Sequence, residues 1–150
     1  MKERITVDLK EAMKAKDELR LSVLRMLNAA IKNAEIGKRQ GSSQPELTDE
    51  EILKTIASEM KKRKDAAEGF TTGGKIESAQ KELAEARILE AYLPTQLTDE
   101  EIDQHVKAVV AELMNITEKD FGKVMKEVMG KVQGQASGDR VSAAVKKALV

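Results

Sequence analysis

Leu47–Ile52 reads "LTDEEI", and Leu97–Ile102 reads "LTDEEI" again. Three consecutive carboxylates, copied fifty positions apart (97 − 47), fit metal ligands, an acid/base pair or a duplicated domain. Helix mechanics accounts for every residue without any of these. Thr48 is an N-cap whose hydroxyl accepts a bond from an orphan first-turn N–H. Glu51, three residues on, reaches back to the Thr48 N–H and completes a capping box, while Leu47 and Ile52 form the hydrophobic staple. Asp49 and Glu50 set negative charge against the positive end of the helix dipole. Leu97, Thr98, Glu101 and Ile102 repeat the arrangement. The stretches that follow, "LKTIASEMKKRKD" and "DQHVKAVVAELMN", share only helical spacing, so duplication fails. A third start, "ITEKDF", has Thr117 as cap with Ile116 and Phe121 as staple. The hexapeptide is punctuation, and it marks an all-α chain.

Composition agrees. At 150 residues the chain makes one domain or two small lobes. Aromatics are 2% (Phe70, Tyr92 and Phe121, with no Trp), so the core must be aliphatic with Met as filler. The absence of cysteine excludes disulfides and thiol chemistry. No apolar run approaches the roughly 18 residues of a membrane span. "MKERITVDLKEAM" lacks the apolar region of a signal peptide. A cytoplasmic location without membrane contact is the expectation. Net charge is zero, 26 basic against 26 acidic residues, which argues against a strong nonspecific polyanion binder.

Pattern and caps predict about seven helices in two lobes. A four-helix N-terminal lobe (residues 1–94) holds helices at Lys2–Lys16, Glu18–Ile36, Asp49–Glu68 and Lys75–Tyr92. Asp17 is the expected cap of the second, whose apolar side spans nearly half its circumference: Val23, Leu24, Met26, Leu27, Ala30, Ile31 and Ala34. The third buries Ile52, Leu53, Ile56 and Met60; the fourth buries Ile76, Ala79, Leu83 and Ala86. Ile88 and Tyr92 fall on its opposite side and are expected to pack on a second lobe. "GKRQGSSQPE" (Gly37–Glu46) reads as a polar, mobile connector. A small three-helix C-terminal lobe (residues 95–150) holds Asp99–Met114, Glu118–Lys131 and Gly138–Leu149, the last capped by Ser137.

The search for catalytic chemistry returns little. No Walker A string occurs, and without strands there is no context for a dinucleotide fingerprint. Helix ends and turns explain Gly122, Gly130, Gly134 and Gly138 better than a phosphate loop. His105 is the only histidine, with no second His or Cys for zinc. No catalytic residue, cofactor or metal is expected. "KKRKD" (Lys61–Asp65) points around the whole circumference of its helix, with Arg63 and Lys64 snorkelling at the apolar border. The sixth helix differs. Lys119, Lys123 and Lys126 fall within about 60° of one another, opposite Phe121, Val124, Met125 and Val128. Residues 121–150 carry six positive charges (Lys123, Lys126, Lys131, Arg140, Lys146, Lys147) against two negative (Glu127, Asp139). A solvated helix face accounts for this as well as a phosphate-contacting surface does. With so few aromatics, any recognition is of folded RNA shape and backbone rather than of stacked bases. Arg20 projects into the apolar side of the second helix and calls for a carboxylate partner.

Four stretches carry a resemblance over essentially the whole chain: "AMKAKDELRLSVLRMLNAAIKNAEI" (Ala12–Ile36), "KKRKDAAEGF" (Lys61–Phe70), "EAYLPTQLTDEEI" (Glu90–Ile102) and "DFGKVMKEVMGKVQGQASGDRVSAAVKKAL" (Asp120–Leu149). They resemble the GatB/YqeY family in its free-standing bacterial form. The same domain forms the carboxy-terminal tail of the B subunit of the tRNA-dependent amidotransferase. That enzyme amidates Glu-tRNA(Gln) or Asp-tRNA(Asn) with glutamine as nitrogen donor. The resemblance implies two helical lobes and a tail that holds the tRNA body. It carries over "GKVM" (Gly122–Met125) and "GQASGDRV" (Gly134–Val141), with Ala136-Ser137-Gly138-Asp139 where the tail has Ala-Asp-Gly. It does not carry over catalysis, so any carbon–nitrogen ligase label comes by association only. The expectation is a tRNA-binding accessory protein that lays Lys119, Lys123, Lys126, Lys131, Arg140, Lys146 and Lys147 on phosphates, weakly and salt-dependently. The alternative is a helical adaptor that docks a synthetase or amidotransferase subunit without touching RNA, its signature an exposed apolar patch.

Overall fold

The computed structural model describes residues 1–39 and 45–150. Among these residues all regular structure is helical: α1 (Lys2–Lys14), α2 (Glu18–Lys38), α3 (Asp49–Thr72), α4 (Ile76–Glu90), α5 (Asp99–Leu113), α6 (Phe121–Val132) and α7 (Gly138–Leu149). A 3-10 turn, Glu118–Asp120, leads into α6. The helices form two compact units, Met1–Leu93 and Pro94–Val150. The first residues of the expected connector, Gly37 and Lys38, belong to α2; its centre, residues 40–44, lies outside the described residues.

Both copies of the hexapeptide are capping boxes of matching geometry. Thr48 Oγ1 accepts from Glu51 N at 3.2 Å, and Thr48 N donates to Glu51 Oε2 at 2.8 Å. Thr98 and Glu101 give the same two bonds at the same lengths. The staple residues sit in the two cores, Leu47 and Ile52 in one, Leu97 and Ile102 in the other. Asp17 caps α2 by accepting from Arg20 N at 3.1 Å. Ser137 occupies the N-cap of α7 but its side chain makes no capping bond. Thr117 caps a turn of 3-10 helix closed by Asp120, so α6 starts three residues later than the pattern implies.

The Met1–Leu93 unit packs Ile5 and Ala12 of α1, Val23, Leu24, Leu27 and Ile31 of α2, Ile52 and Ile56 of α3, and Leu89 and Tyr92 around α4. Ile88 and Tyr92 therefore close this core rather than pack on the other unit. A buried phenol needs a hydrogen-bond partner, and Asp8 of α1 supplies it to the Tyr92 hydroxyl. Arg20 meets the same carboxylate at 3.5 Å, and the Arg4 guanidinium lies 4.8 Å from the Tyr92 ring centroid. Arg20 is thus a clasp between α1, α2 and the end of α4.

Two expected burial patterns are corrected. Arg63 does not snorkel: it is 5% exposed, with Nε 3.2 Å from Glu85 and Nη1 3.3 Å from Glu59. A guanidinium can be buried because two carboxylates and the Glu59 carbonyl take its N–H groups. Lys64, its neighbour, is exposed as a solvated lysine should be. Ile76 and Leu83 are exposed instead of buried. Beyond Arg63 and Glu85 the α3–α4 hairpin contributes nothing to the unit's core, and small Ala67 and Ala79 are what it buries there.

The Pro94–Val150 unit has a core of β-branched residues: Ile102, Val106 and Val109 of α5, Val124, Val128 and Val132 of α6, Val141 and Val145 of α7. Its amino-terminal segment is stitched to the α6–α7 loop. Leu97 N donates to Gln135 O at 2.7 Å, and Gln96 Nε2 donates to Gly134 O at 3.2 Å. The loop turns through left-handed backbone at Gln133 and Gly134, φ +40° and +82°, a conformation that glycine adopts freely.

Candidate nucleic-acid interface

The seven cations singled out by sequence all lie in the Pro94–Val150 unit, and the structure divides them. Three already have partners. Lys131 reaches both carboxylate oxygens of Glu112 at 2.7 Å. Arg140 grips Asp99 at 2.6 and 3.0 Å and donates to Leu97 O at 2.8 Å. Lys147 pairs with Asp103 at 3.2 Å. All three carboxylates belong to α5, so these contacts tie α6 and α7 to the acidic helix. Arg140 explains part of the "GQASGDRV" stretch: it holds the entry of α5 against the start of α7.

Lys119, Lys123, Lys126 and Lys146 are exposed, and no ion pair engages them among the described residues. Three of the four lie on the turn and helix around α6, on the side away from Val124 and Val128. Two glycines share that surface. Gly122, Lys126 and Gly130 follow at intervals of four residues, one above the other on an α-helix. A Cβ at Gly122 or Gly130 would meet no heavy atom within 4 Å, and neither has positive φ. Neither packing nor backbone conformation calls for glycine at these positions, although each costs about 0.5–1 kcal/mol relative to alanine in a helix interior. What they create is backbone open to solvent on either side of Lys126, with Lys123 alongside.

Charge is polarised across this unit. It holds eight Lys/Arg (107, 119, 123, 126, 131, 140, 146, 147) against nine Asp/Glu (99, 100, 101, 103, 112, 118, 120, 127, 139), near balance as a whole. The acids concentrate on α5, where its capping box and the ties to Arg140, Lys131 and Lys147 use them. The α6 surface carries Lys119, Lys123 and Lys126, with the exposed carboxylate of Glu127 at its edge. Among the described residues no group of three His, Cys, Asp or Glu side chains is placed to hold a metal ion. His105 sits half-buried on α5.

The other unit contains what the sequence reading missed. Arg63 is one such feature; its signal was Glu59 four residues earlier on the same helix. The second is an open groove of about 630 Å³ between α2 and α3, lined by Met26, Ala29, Ala30 and Ala34 on one side and by Thr55, Ser58 and Lys54 on the other. Met26 is 52% exposed there, so the apolar side of α2 is wider than the core it serves.

Among the described residues the protein is built of helices in two units, one of which presents exposed lysines and glycines on α6. Residues 2–149 match the family model described as Yqey-like protein. The chain belongs to the YqeY-like family. Similar proteins include "Altered inheritance of mitochondria protein 41, mitochondrial" of Pyrenophora tritici-repentis, 29% identical over 136 residues, 89% of this chain and 71% of that protein. The protein of the same name from Kluyveromyces lactis is 33% identical over 83% of this chain and 65% of its own length. That of Saccharomyces cerevisiae is 34% identical over 83% of this chain and 66% of its own length. The chain thus spans about two thirds of the length of these relatives. They overturn two expectations: relatives named as mitochondrial proteins of fungi stand against both the bacterial attribution and the cytoplasmic location.

Proposed function

We propose that the protein is a tRNA-binding accessory module that contacts the RNA backbone through the α6 surface and performs no catalysis of its own. The observation that carries this reading is the unpaired Lys119–Lys123–Lys126 group beside two glycines that the fold does not require. Phosphates are taken by ammonium groups that carry no intramolecular carboxylate, and glycine allows the helix backbone close to a bulky, regular polyanion. Lys131, Arg140 and Lys147 come second, because each would have to leave a carboxylate of α5 first. A relation to the amidotransferase tail rests on the "GKVM" and "GQASGDRV" resemblance and belongs to the same proposal.

Binding is weak for a chain of zero net charge, micromolar at low salt. Three phosphate contacts give a log–log salt slope near −2.7, which between 50 and 200 mM salt is roughly a 40-fold loss of affinity. Fluorescence anisotropy of labelled tRNA at those two concentrations, with duplex DNA as competitor, tests it. Salt-sensitive binding that DNA does not displace supports the reading. No binding up to ~100 µM at 50 mM salt, well beyond typical nonspecific affinities, rejects it.

A further inference from the structure

The groove between α2 and α3 lies in the other unit from the lysine surface, and the core does not use it. Its α2 wall is Met26, Ala29, Ala30, Asn33 and Ala34; its α3 wall is Lys54, Thr55, Ser58, Glu59 and Lys62. The two helices run antiparallel here, since Lys38 meets Glu51 at one end and Arg63 meets Met26 at the other. Each wall runs nine residues, from Met26 to Ala34 and from Lys54 to Lys62, or about 12 Å of helix. The residues between are small, which lets a third helix approach closely. The floor is apolar and the ends of the α3 wall are cationic.

Both lysines are largely exposed, each beside a carboxylate of its own helix. Lys54 pairs with Glu50, but both side chains are about three-quarters exposed (74% and 78%), and an i,i+4 pair of that kind is worth little. Lys62 shares Glu59 with Arg63. Burial works against the charge of the Glu59 carboxyl, yet hydrogen bonds from Lys62 and Arg63 hold it below its ordinary value, so it stays an anion already spent on two cations. Beneath the floor one guanidinium nitrogen lacks a strong acceptor. Arg63 is 5% exposed, and the partner of its Nη2 is the Met26 sulfur at 3.7 Å. A thioether is a weak acceptor for a guanidinium, and Met26 is a flexible, half-exposed side chain that can swing aside.

We infer that this groove docks an acidic amphipathic helix of a partner protein. Apolar residues of that helix lie on Met26, Ala30 and Ala34, and carboxylates about two turns apart reach Lys54 and Lys62, with Arg63 Nη2 available beneath. Helix-in-groove recognition uses anchors at such spacings. The groove belongs to the Met1–Leu93 unit and the α6 surface to the Pro94–Val150 unit.

The test is a phage-displayed library of randomised helical peptides selected on the full-length protein. Expected are clones with an apolar i, i+3/i+4 stripe and Asp or Glu seven to eight positions apart, whose affinity falls at least tenfold on Lys54→Glu/Lys62→Glu and on groove-filling Ala30→Trp. Circular dichroism checks that both variants remain helical; the exposed lysine pair covers the case in which Ala30→Trp does not fold. Enrichment of basic clones, no enrichment, or clones indifferent to the lysine reversal overturns the inference. Loss of tRNA binding by Lys54→Glu/Lys62→Glu with peptide binding intact would also overturn it, by making the groove part of an RNA surface.

Discussion

Replacing Gly122 and Gly130 by alanine separates what the fold needs from what a partner needs. Both glycines sit in right-handed α6 backbone, and a Cβ at either site enters open space. Alanine therefore introduces no clash and removes conformational freedom from the unfolded chain. Each substitution is expected to stabilise by about 0.5 kcal/mol at these near-terminal helix positions, and the pair by about 1 kcal/mol. For a unit of this size that raises the melting temperature by roughly 4–8 °C. Thermal melts followed by circular dichroism at 222 nm read the gain, and amide exchange at Val124 and Val128 localises it to the Pro94–Val150 unit. Affinity for tRNA is expected to fall severalfold in the same variants, because two methyl groups now stand on the backbone either side of Lys126. A protein that becomes more stable and binds less well supports the reasoning. Destabilisation would refute the claim that nothing packs there, and unchanged tRNA affinity would refute the role given to the glycines.

Two further outcomes test the Met1–Leu93 unit. Tyr92 is the only tyrosine and the chain has no Trp, so phenolate absorbance reports one residue. Burial, then the hydrogen bond to Asp8, push its pKa from 10.0 up to about 12. A raised pKa stabilises the fold fully below pH 10, and that contribution is lost as pH rises through 12. A spectroscopic midpoint near 10 in the folded protein would show that the phenol is neither buried nor bonded to Asp8, and Tyr92→Phe should remove this component of alkaline destabilisation. Arg63→Met leaves Glu59 and Glu85 half-buried with less to neutralise them, and is expected to cost about 3 kcal/mol at neutral pH in a urea titration. Glu59's lowered pKa makes its stabilising contribution present above its ordinary value of 4.5 and lost as pH falls, so variant and wild type should converge in acid.

Local codes made much of the fold legible. Capping boxes, staples and 3.6-residue periodicity located every helix, since each depends on residues within one or two turns. Burial was legible where other helices cover the apolar side, as for Val23, Leu24, Leu27 and Ile31 of α2. Ile76 and Leu83 have the apolar spacing of core residues, but whether a third helix covers a hairpin is decided by tertiary packing. Tyr92, expected to pack on a second lobe, instead closes the core of its own unit, where Asp8, eighty-four residues away, accepts from its hydroxyl. The lysine surface was legible as charge but not as availability. Spacing cannot say that Arg140 belongs to Asp99 while Lys126 belongs to nothing, because those pairings cross between helices. The α2–α3 groove left no sequence signal beyond an apolar side too wide for one core.

The most direct test of the lysine surface compares tRNA affinity of wild type with that of Lys123→Glu/Lys126→Glu at 50 mM salt, with Lys131→Glu as the paired control. Lys123 and Lys126 are exposed and unpaired among the described residues, so the double variant should keep its melting behaviour. The expected result is loss of tRNA binding in the double variant by an order of magnitude or more, with a shallower salt slope, and a smaller loss for Lys131→Glu. A double variant that folds normally and binds tRNA as tightly as wild type would contradict the assignment of this face.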